Sequence, residues 1–188
     1  MQSGDCLNQL RERKNLLSLQ STPIPASYWV AAQFLAGEHP SWTDDDSTRK
    51  RIRCLLDAQV SLFIDLTQDE EEPYLPIAQA ESSARQQEIE YWQMHIQDMN
   101  TPSNEKMRQI LHRIDAAIEA GRTVYVHCLA GLGRTGTVVG CYLVNKGMDG
   151  HAALREITHL RRQTPEANEA SPQTEKQRQF VLKWQGAE

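Results

Sequence analysis

No stretch of the chain approaches the roughly 18 consecutive apolar residues that a membrane-crossing helix requires. The first twenty residues carry charge and glutamine where a secretory signal would have an apolar centre. A soluble, cytoplasmic protein without a membrane partner is the expectation. A basic run is missing too, since 20 Lys+Arg stand against 25 Asp+Glu for a formal net charge of −5. The cationic footprint of a nucleic-acid binder is therefore absent, and no such partner is expected. The four cysteines, Cys6, Cys54, Cys128 and Cys141, show no paired spacing and do not read as a disulfide framework. With neither Cys-x-x-Cys nor His-x-x-x-His present, no metal site is expected.

What is present is 188 residues, the size of one ordinary domain with a modest appendage. Hydrophobic residues at 39% and charged residues at 24% lie near globular averages, so the chain should bury a core. Residues 1–22 are polar with Leu7, Leu10 and Leu17 on one helical stripe, which predicts a docking helix or a flexible tail ahead of a domain over 23–188. Ser27 to Gly37 reads as short strands, and Thr43 to Asp57 as a helix capped by Thr43 or a neighbouring Asp. Val60 to Leu66 is an unbroken apolar run, as in a strand buried on both faces, and Asp69 to Glu72 is an acidic loop. Ile89 to Ile96 is a second strand. Thr101-Pro102 then opens a helix through Met107, Ile110, Leu111, Ile114 and Ile118 that stops at Gly121. Thr123 to His127 is a β-branched strand, and Thr137 to Asn145 an almost wholly apolar helix that should lie at the centre. Helices over His151 to Arg162 and from Ser171-Pro172 onward complete the chain, the last packing Phe180, Val181 and Trp184. Strands alternating with helices predict an α/β fold with helices on both sheet faces.

The chemistry concentrates in His127-Cys128-Leu129-Ala130-Gly131-Leu132-Gly133-Arg134-Thr135-Gly136, between a strand and a buried helix. A loop feeding a helix N-terminus gathers unpaired N–H groups in one concavity, where the helix dipole favours an anion. Glycines 131, 133 and 136 let that backbone curl with its amides inward. Gly131-x-Gly133-x-x-Gly136 also fits the dinucleotide fingerprint, but no strand ending in an acidic residue follows the helix. A nucleotide P-loop would need lysine where Arg134 stands. Neither nucleotide reading explains Cys128, whose surroundings favour a thiolate nucleophile. Arg134 can bind two oxygens of a tetrahedral oxyanion, so the pair suits in-line attack on phosphorus. A buried, inert Cys128 beside a surface arginine would leave the three glycines without a purpose.

Cys128 to Arg134 matches the Cys-x5-Arg signature of the cysteine-dependent protein tyrosine phosphatases, and HCLAGLGRTGT resembles their dual-specificity and cell-cycle-phosphatase branch. Weaker likeness runs from SYWV near Ser27 to SPQTEKQRQFV and Trp184. The resemblance implies a single-domain phosphotyrosine-phosphatase-like α/β fold, with a mostly parallel sheet of about 4–5 strands. It also implies a phosphocysteine intermediate and no cofactor. Leu129, Ala130, Gly131, Leu132, Gly133 and Arg134 would bind the substrate phosphate. Asp98, thirty residues before the nucleophile, is similar in placement to the family's general acid, although Gln97 stands where a proline is common. A solvated turn is the plain alternative for Asp98, and Asp65 and the Asp69 to Glu72 cluster are rivals by residue type. Thr135 would donate to the sulfur, His127 would orient the loop, and Gln177 either helps to place the hydrolytic water or is merely solvated.

The expected activity is phosphomonoester hydrolysis on a phosphorylated protein partner, at phosphotyrosine and at phosphoserine/threonine. Alternatives are arsenate reduction, phosphoinositide hydrolysis and non-catalytic phosphoprotein binding. Arsenate reduction needs a resolving thiol that nothing marks. Phosphoinositide-directed relatives generally carry lysines where this loop has Leu129, Ala130 and Leu132. An oxidised Cys128 could pair with Cys54 or Cys141, the latter reading more simply as core.

Overall fold

The computed structural model describes residues 21–41, 43–68 and 74–186. The predicted N-terminal helix or tail and the Asp69 to Glu72 loop lie outside the described residues. Short β-branched and aromatic runs form β1 (Ser27–Ala31), β2 (Phe34–Gly37), β3 (Val60–Asp65), β4 (Glu90–Gln93) and β5 (Thr123–His127). They make one sheet in the order β1-β2-β5-β3-β4, antiparallel only in the β1–β2 hairpin. The inner strands are buried along nearly their whole length, which explains why VSLFID and TVYVH are continuous runs rather than alternations. In register, His127 lies opposite both Gly37 of β2 and Asp65 of β3. Three strands thus end level, and the loops leaving them converge on one crevice at the carboxyl edge of the sheet.

Among the described residues six helices cover the faces: α1 (Asp45–Asp57), α2 (Leu75–Ala84), α3 (Asn104–Glu119), α4 (Gly133–Asn145), α5 (Gly150–Leu160) and α6 (Glu175–Lys183). Helix α1 and the segment around α2 enclose one core with Ile52, Leu56, Phe63, Tyr74 and Tyr125. Helices α3 to α6 enclose the other, where Met107, Ile110, Val124, Val126 and Val138 meet. Each such aliphatic side chain contributes about 1.5–3 kcal/mol by leaving water. Helix α4 is buried from Gly133 to Leu143, as its apolar composition requires.

Helix α2 was not foreseen in the sequence. Its buried residues are Ala78, Glu81 and Ser82, so there is no apolar stripe to read. Glu81 instead pairs with Arg49 and Arg53 of α1, and hydrogen bonds from Arg53 and Arg49 hold its carboxyl down at about 2. Three helix starts also differ from expectation. Ser103, not Thr101, caps α3 by accepting from the Lys106 amide, so Pro102 stays outside the helix. Helix α4 begins at Gly133, placing Arg134 and Thr135 in its first turn. Helix α6 begins at Glu175, where Thr174 and Gln177 form a reciprocal capping box that satisfies two otherwise orphaned amides. Ser171, expected at the start of that helix, lies ahead of it and donates its hydroxyl to the Leu132 carbonyl at 2.8 Å.

Candidate active site

Cys128 leaves β5 at the crevice and is 3% exposed. The chain behind it turns through Gly131 at φ +70°, and a Cβ there would stand 2.6 Å from the Gly37 carbonyl carbon, so only glycine fits. The loop carbonyls turn outward: Leu129 accepts from the His39 amide at 2.8 Å and Leu132 from Ser171. Among the described residues, the amides of Leu129 to Gly133 donate to no protein acceptor. Five consecutive amide donors are thereby without a protein acceptor, a set able to hold an anion.

The Arg134 side chain is 1% exposed, held from below by the Leu66 and Ile96 carbonyls at 3.4 and 3.3 Å. Its Nη2 lies 3.2 Å from Oδ1 of Asp98, whose side chain is 60% exposed. The resemblance to the family's general-acid loop singles out this residue, and the fold sets it on the guanidinium. The Asp98 amide donates to Gln68 Oε1 at 3.2 Å. Gln97, standing where proline was the family pattern, closes the loop internally by accepting from the amide and the side chain of Asn100.

Gln177 is fully buried, not solvated. Its Nε2 donates to the Asn100 carbonyl at 3.0 Å and its Oε1 accepts from the Thr174 amide at 3.0 Å. A Cβ on Gly133 would lie 3.0 Å from that same side-chain amide. Gln177 therefore fills the space between the start of α4 and the Asp98 loop, with both ends of its amide engaged there. Thr135 is buried as well, and its hydroxyl donates to the Gly37 carbonyl at 3.4 Å rather than to the sulfur.

Below the loop lies a buried polar group that the sequence did not reveal. His127 Nε2 shares a 2.7 Å hydrogen bond with the Tyr74 hydroxyl, and its Nδ1 lies 3.4 Å from the Cys128 carbonyl and 3.9 Å from Asp65. The His39 ring packs edge-on against both His127 and Tyr74. Burial lowers the pKa of His127, and burial with the neighbouring His127 brings His39 to about 4, so both rings are neutral at physiological pH. Burial opposes the Asp65 carboxylate, yet attraction to His127 when that ring is protonated, with hydrogen bonds from Thr67 and Tyr91, holds it below the usual range. His39, Asp65 and His127 bring potential metal-ligand atoms within 4.8 Å of one another. Those of Asp65 and His127 are already taken by Thr67, Tyr91 and Tyr74, so the group reads as a hydrogen-bonded floor for the loop. Asp65, a rival for the acid by residue type, belongs to this floor. No spacing signal could have joined His39, Tyr74 and His127.

Known proteins resemble the chain in sequence and in fold. The family described as "Polymorphic toxin system, DSP-PTPase phosphatase" matches residues 39–148. Protein 067L of Invertebrate iridescent virus 3, named as a tyrosine phosphatase, is 30% identical over 123 residues, which is 63% of this chain and 45% of that protein. The phosphatidylglycerophosphate phosphatase PTPMT1 of Arabidopsis thaliana is 43% identical over 61 residues, 32% of this chain and 18% of that one. The chain thus spans less than half the length of these curated relatives. Among solved structures, kinase associated phosphatase with its catalytic-site cysteine changed to serine superimposes with a TM-score of 0.69 at 18% identity, covering 86% of this chain and 94% of that one. The chain belongs to the polymorphic toxin system DSP-PTPase phosphatase family, within the cysteine-dependent protein tyrosine phosphatase superfamily.

Proposed function

We propose that the chain hydrolyses phosphomonoesters of phosphorylated proteins, at phosphotyrosine and at phosphoserine/threonine, through a phosphocysteine intermediate. The observation that carries this reading is the buried Arg134 guanidinium, aimed at Asp98 across a loop whose five amides lack acceptors. A phosphate seated on those amides takes over the guanidinium fork, and Asp98 is displaced toward the leaving oxygen. The Cys128 sulfur then attacks phosphorus, the bond to the leaving oxygen breaks, and Asp98 gives that oxygen its proton. In the second step water attacks phosphorus while Asp98 takes its proton, and the S–P bond breaks to return the sulfur with its electron pair. Arg134 and the amides of Leu129, Ala130, Gly131, Leu132 and Gly133 hold the equatorial oxygens through both steps. His127 and Gln177 act by position, one supporting the loop and the other the acid segment.

Leu129, Ala130 and Leu132 supply no cation for a second phosphate, which favours a monophosphate. Leu129 and Met99, 54% and 50% exposed, give the residues next to Cys128 and Asp98 an apolar character suited to an aryl ring. The likeness to a phosphatidylglycerophosphate phosphatase favours a lipid phosphomonoester as the second reading. The test is a panel of phosphotyrosine and phosphoserine peptides and phosphatidylglycerophosphate vesicles, run on the wild type and on Cys128→Ser. Peptide turnover should vanish in the variant while vanadate binding persists. A variant with full activity, or turnover confined to the vesicles, overturns the proposal.

A further inference from the structure

Beside the acid loop a groove of about 430 Å³ runs between the start of α3 and the outer side of α6. Thr101, three residues beyond Asp98, lines it together with Arg108, Lys176, Phe180, Lys183 and Trp184. Three of these residues are cationic and none of the lining residues carries a carboxylate, in a protein of net charge −5. Glu175, the carboxylate nearest in sequence on α6, is held by Arg178 and Gln179. Phe180 and Trp184 stack at 5.7 Å, and the Arg108 guanidinium lies 5.8 Å from the Trp184 ring centroid. Stacking holds a guanidinium in place while its edge remains able to grip a carboxylate by two parallel hydrogen bonds. Lys176 donates to the Asn100 side chain at 2.6 Å, joining the groove to the loop that carries Asp98.

We propose that this groove binds an acidic segment flanking the phosphorylated residue of a protein substrate. The inference rests on the phosphoprotein reading above and narrows it to acidic sequences. Three residues of chain span at most about 10 Å, so the recognised carboxylates belong within roughly four positions of the phosphorylated residue. A membrane surface fits less well. The large hydrophobic side chains exposed among the described residues are Met99 and Leu129 at the catalytic rim, which leaves none on the groove to enter a bilayer.

The experiment compares phosphotyrosine peptides carrying glutamates within about four positions on either side with alanine-flanked controls. The enzymes are the wild type and a double variant, Arg108→Glu with Lys183→Glu, together with the milder Arg108→Gln with Lys183→Gln. The wild type should favour the acidic peptides by about fivefold to tenfold in kcat/KM, expressed in KM. Both double variants should lose the preference while para-nitrophenyl phosphate turnover stays unchanged. The preference should also fade at about 0.5 M salt, where the screening length falls to a few Å. Equal rates on both peptides with the wild type, or a preference that survives in both double variants, overturns the proposal. So does a loss confined to phosphatidylglycerophosphate vesicles, which would assign the groove to a membrane. Binding of the same peptides to Cys128→Ser reads the groove without turnover. A wild type inactive on every phosphomonoester whose Cys128→Ser form still prefers acidic peptides would sink the hydrolytic reading and support the groove.

Discussion

Replacing Gly131 by alanine should damage both the loop and the fold, by amounts the structure allows to be separated. At φ +70° a side chain costs roughly 1–2 kcal/mol in backbone strain. The added methyl would also stand 2.6 Å from the Gly37 carbonyl carbon and 2.8 Å from the Glu38 nitrogen, both backbone atoms of the sheet edge that cannot swing aside. The loop must therefore move outward by on the order of 1 Å, and a displacement of that size at reacting groups costs about a hundredfold in rate. Gly121 provides the control, since its φ is +76° and a Cβ there meets nothing within 4 Å. Gly121→Ala should carry the strain alone, lowering Tm by about 2–8 °C with turnover unchanged. Gly131→Ala should lower Tm by at least as much, reduce kcat/KM on para-nitrophenyl phosphate about a hundredfold and weaken vanadate binding. Thermal melts and steady-state kinetics on the two variants suffice. Should Gly131→Ala turn over like Gly121→Ala, the loop is not held against β2 in the way described, and the reasoning fails.

Asp98→Ala should slow phosphoserine hydrolysis by about 10²–10⁴ and para-nitrophenyl phosphate hydrolysis far less, because a nitrophenolate leaves without a proton. An equal loss on both substrates would remove Asp98 from the acid role. Gln177→Met should reproduce that leaving-group dependence in weaker form, about tenfold on phosphoserine, since it frees the acid loop without removing the acid. A uniform rate loss that follows Tm would instead make Gln177 purely structural. His39 titrates near 4 in the fold, below its ordinary 6.5, so the unfolded chain binds more protons between those values. Stability is then fully present above about pH 6.5 and falls by up to about 3 kcal/mol as the pH drops toward 4. His39→Gln should lessen the slope of urea-unfolding free energy across that window, the lowered pKa of His127 supplying what remains, and an unchanged slope would refute the assignment.

The proposed nucleophile, its clamp and the proposed acid are legible in the sequence because each sits in a local pattern. Cys128 and Arg134 flank the glycines between a β-branched run and an apolar one, and Asp98 precedes a proline and a strongly periodic helix. Apolar, aromatic and β-branched runs likewise placed the five strands, and helical apolar patterns with their turn and cap residues placed five of the six described helices, since both record which side chains must leave water. Helix α2 escaped because Glu81 docks it on Arg49 and Arg53, a polar pairing that leaves no periodic trace. For Gln177 the sequence left a water-placing role and a merely solvated position equally open, and only the closure of α4 and the Asp98 loop over it shows that it is buried. His39, Tyr74 and His127 lie on three separate segments, and only the level ending of β2, β5 and β3 brings them together beneath Cys128. By itself, then, the sequence determined the reactive groups and the apolar framework, both written in neighbouring residues. The tertiary structure alone decided which polar atoms meet, because such pairings depend on strand register and helix approach between segments far apart in the chain.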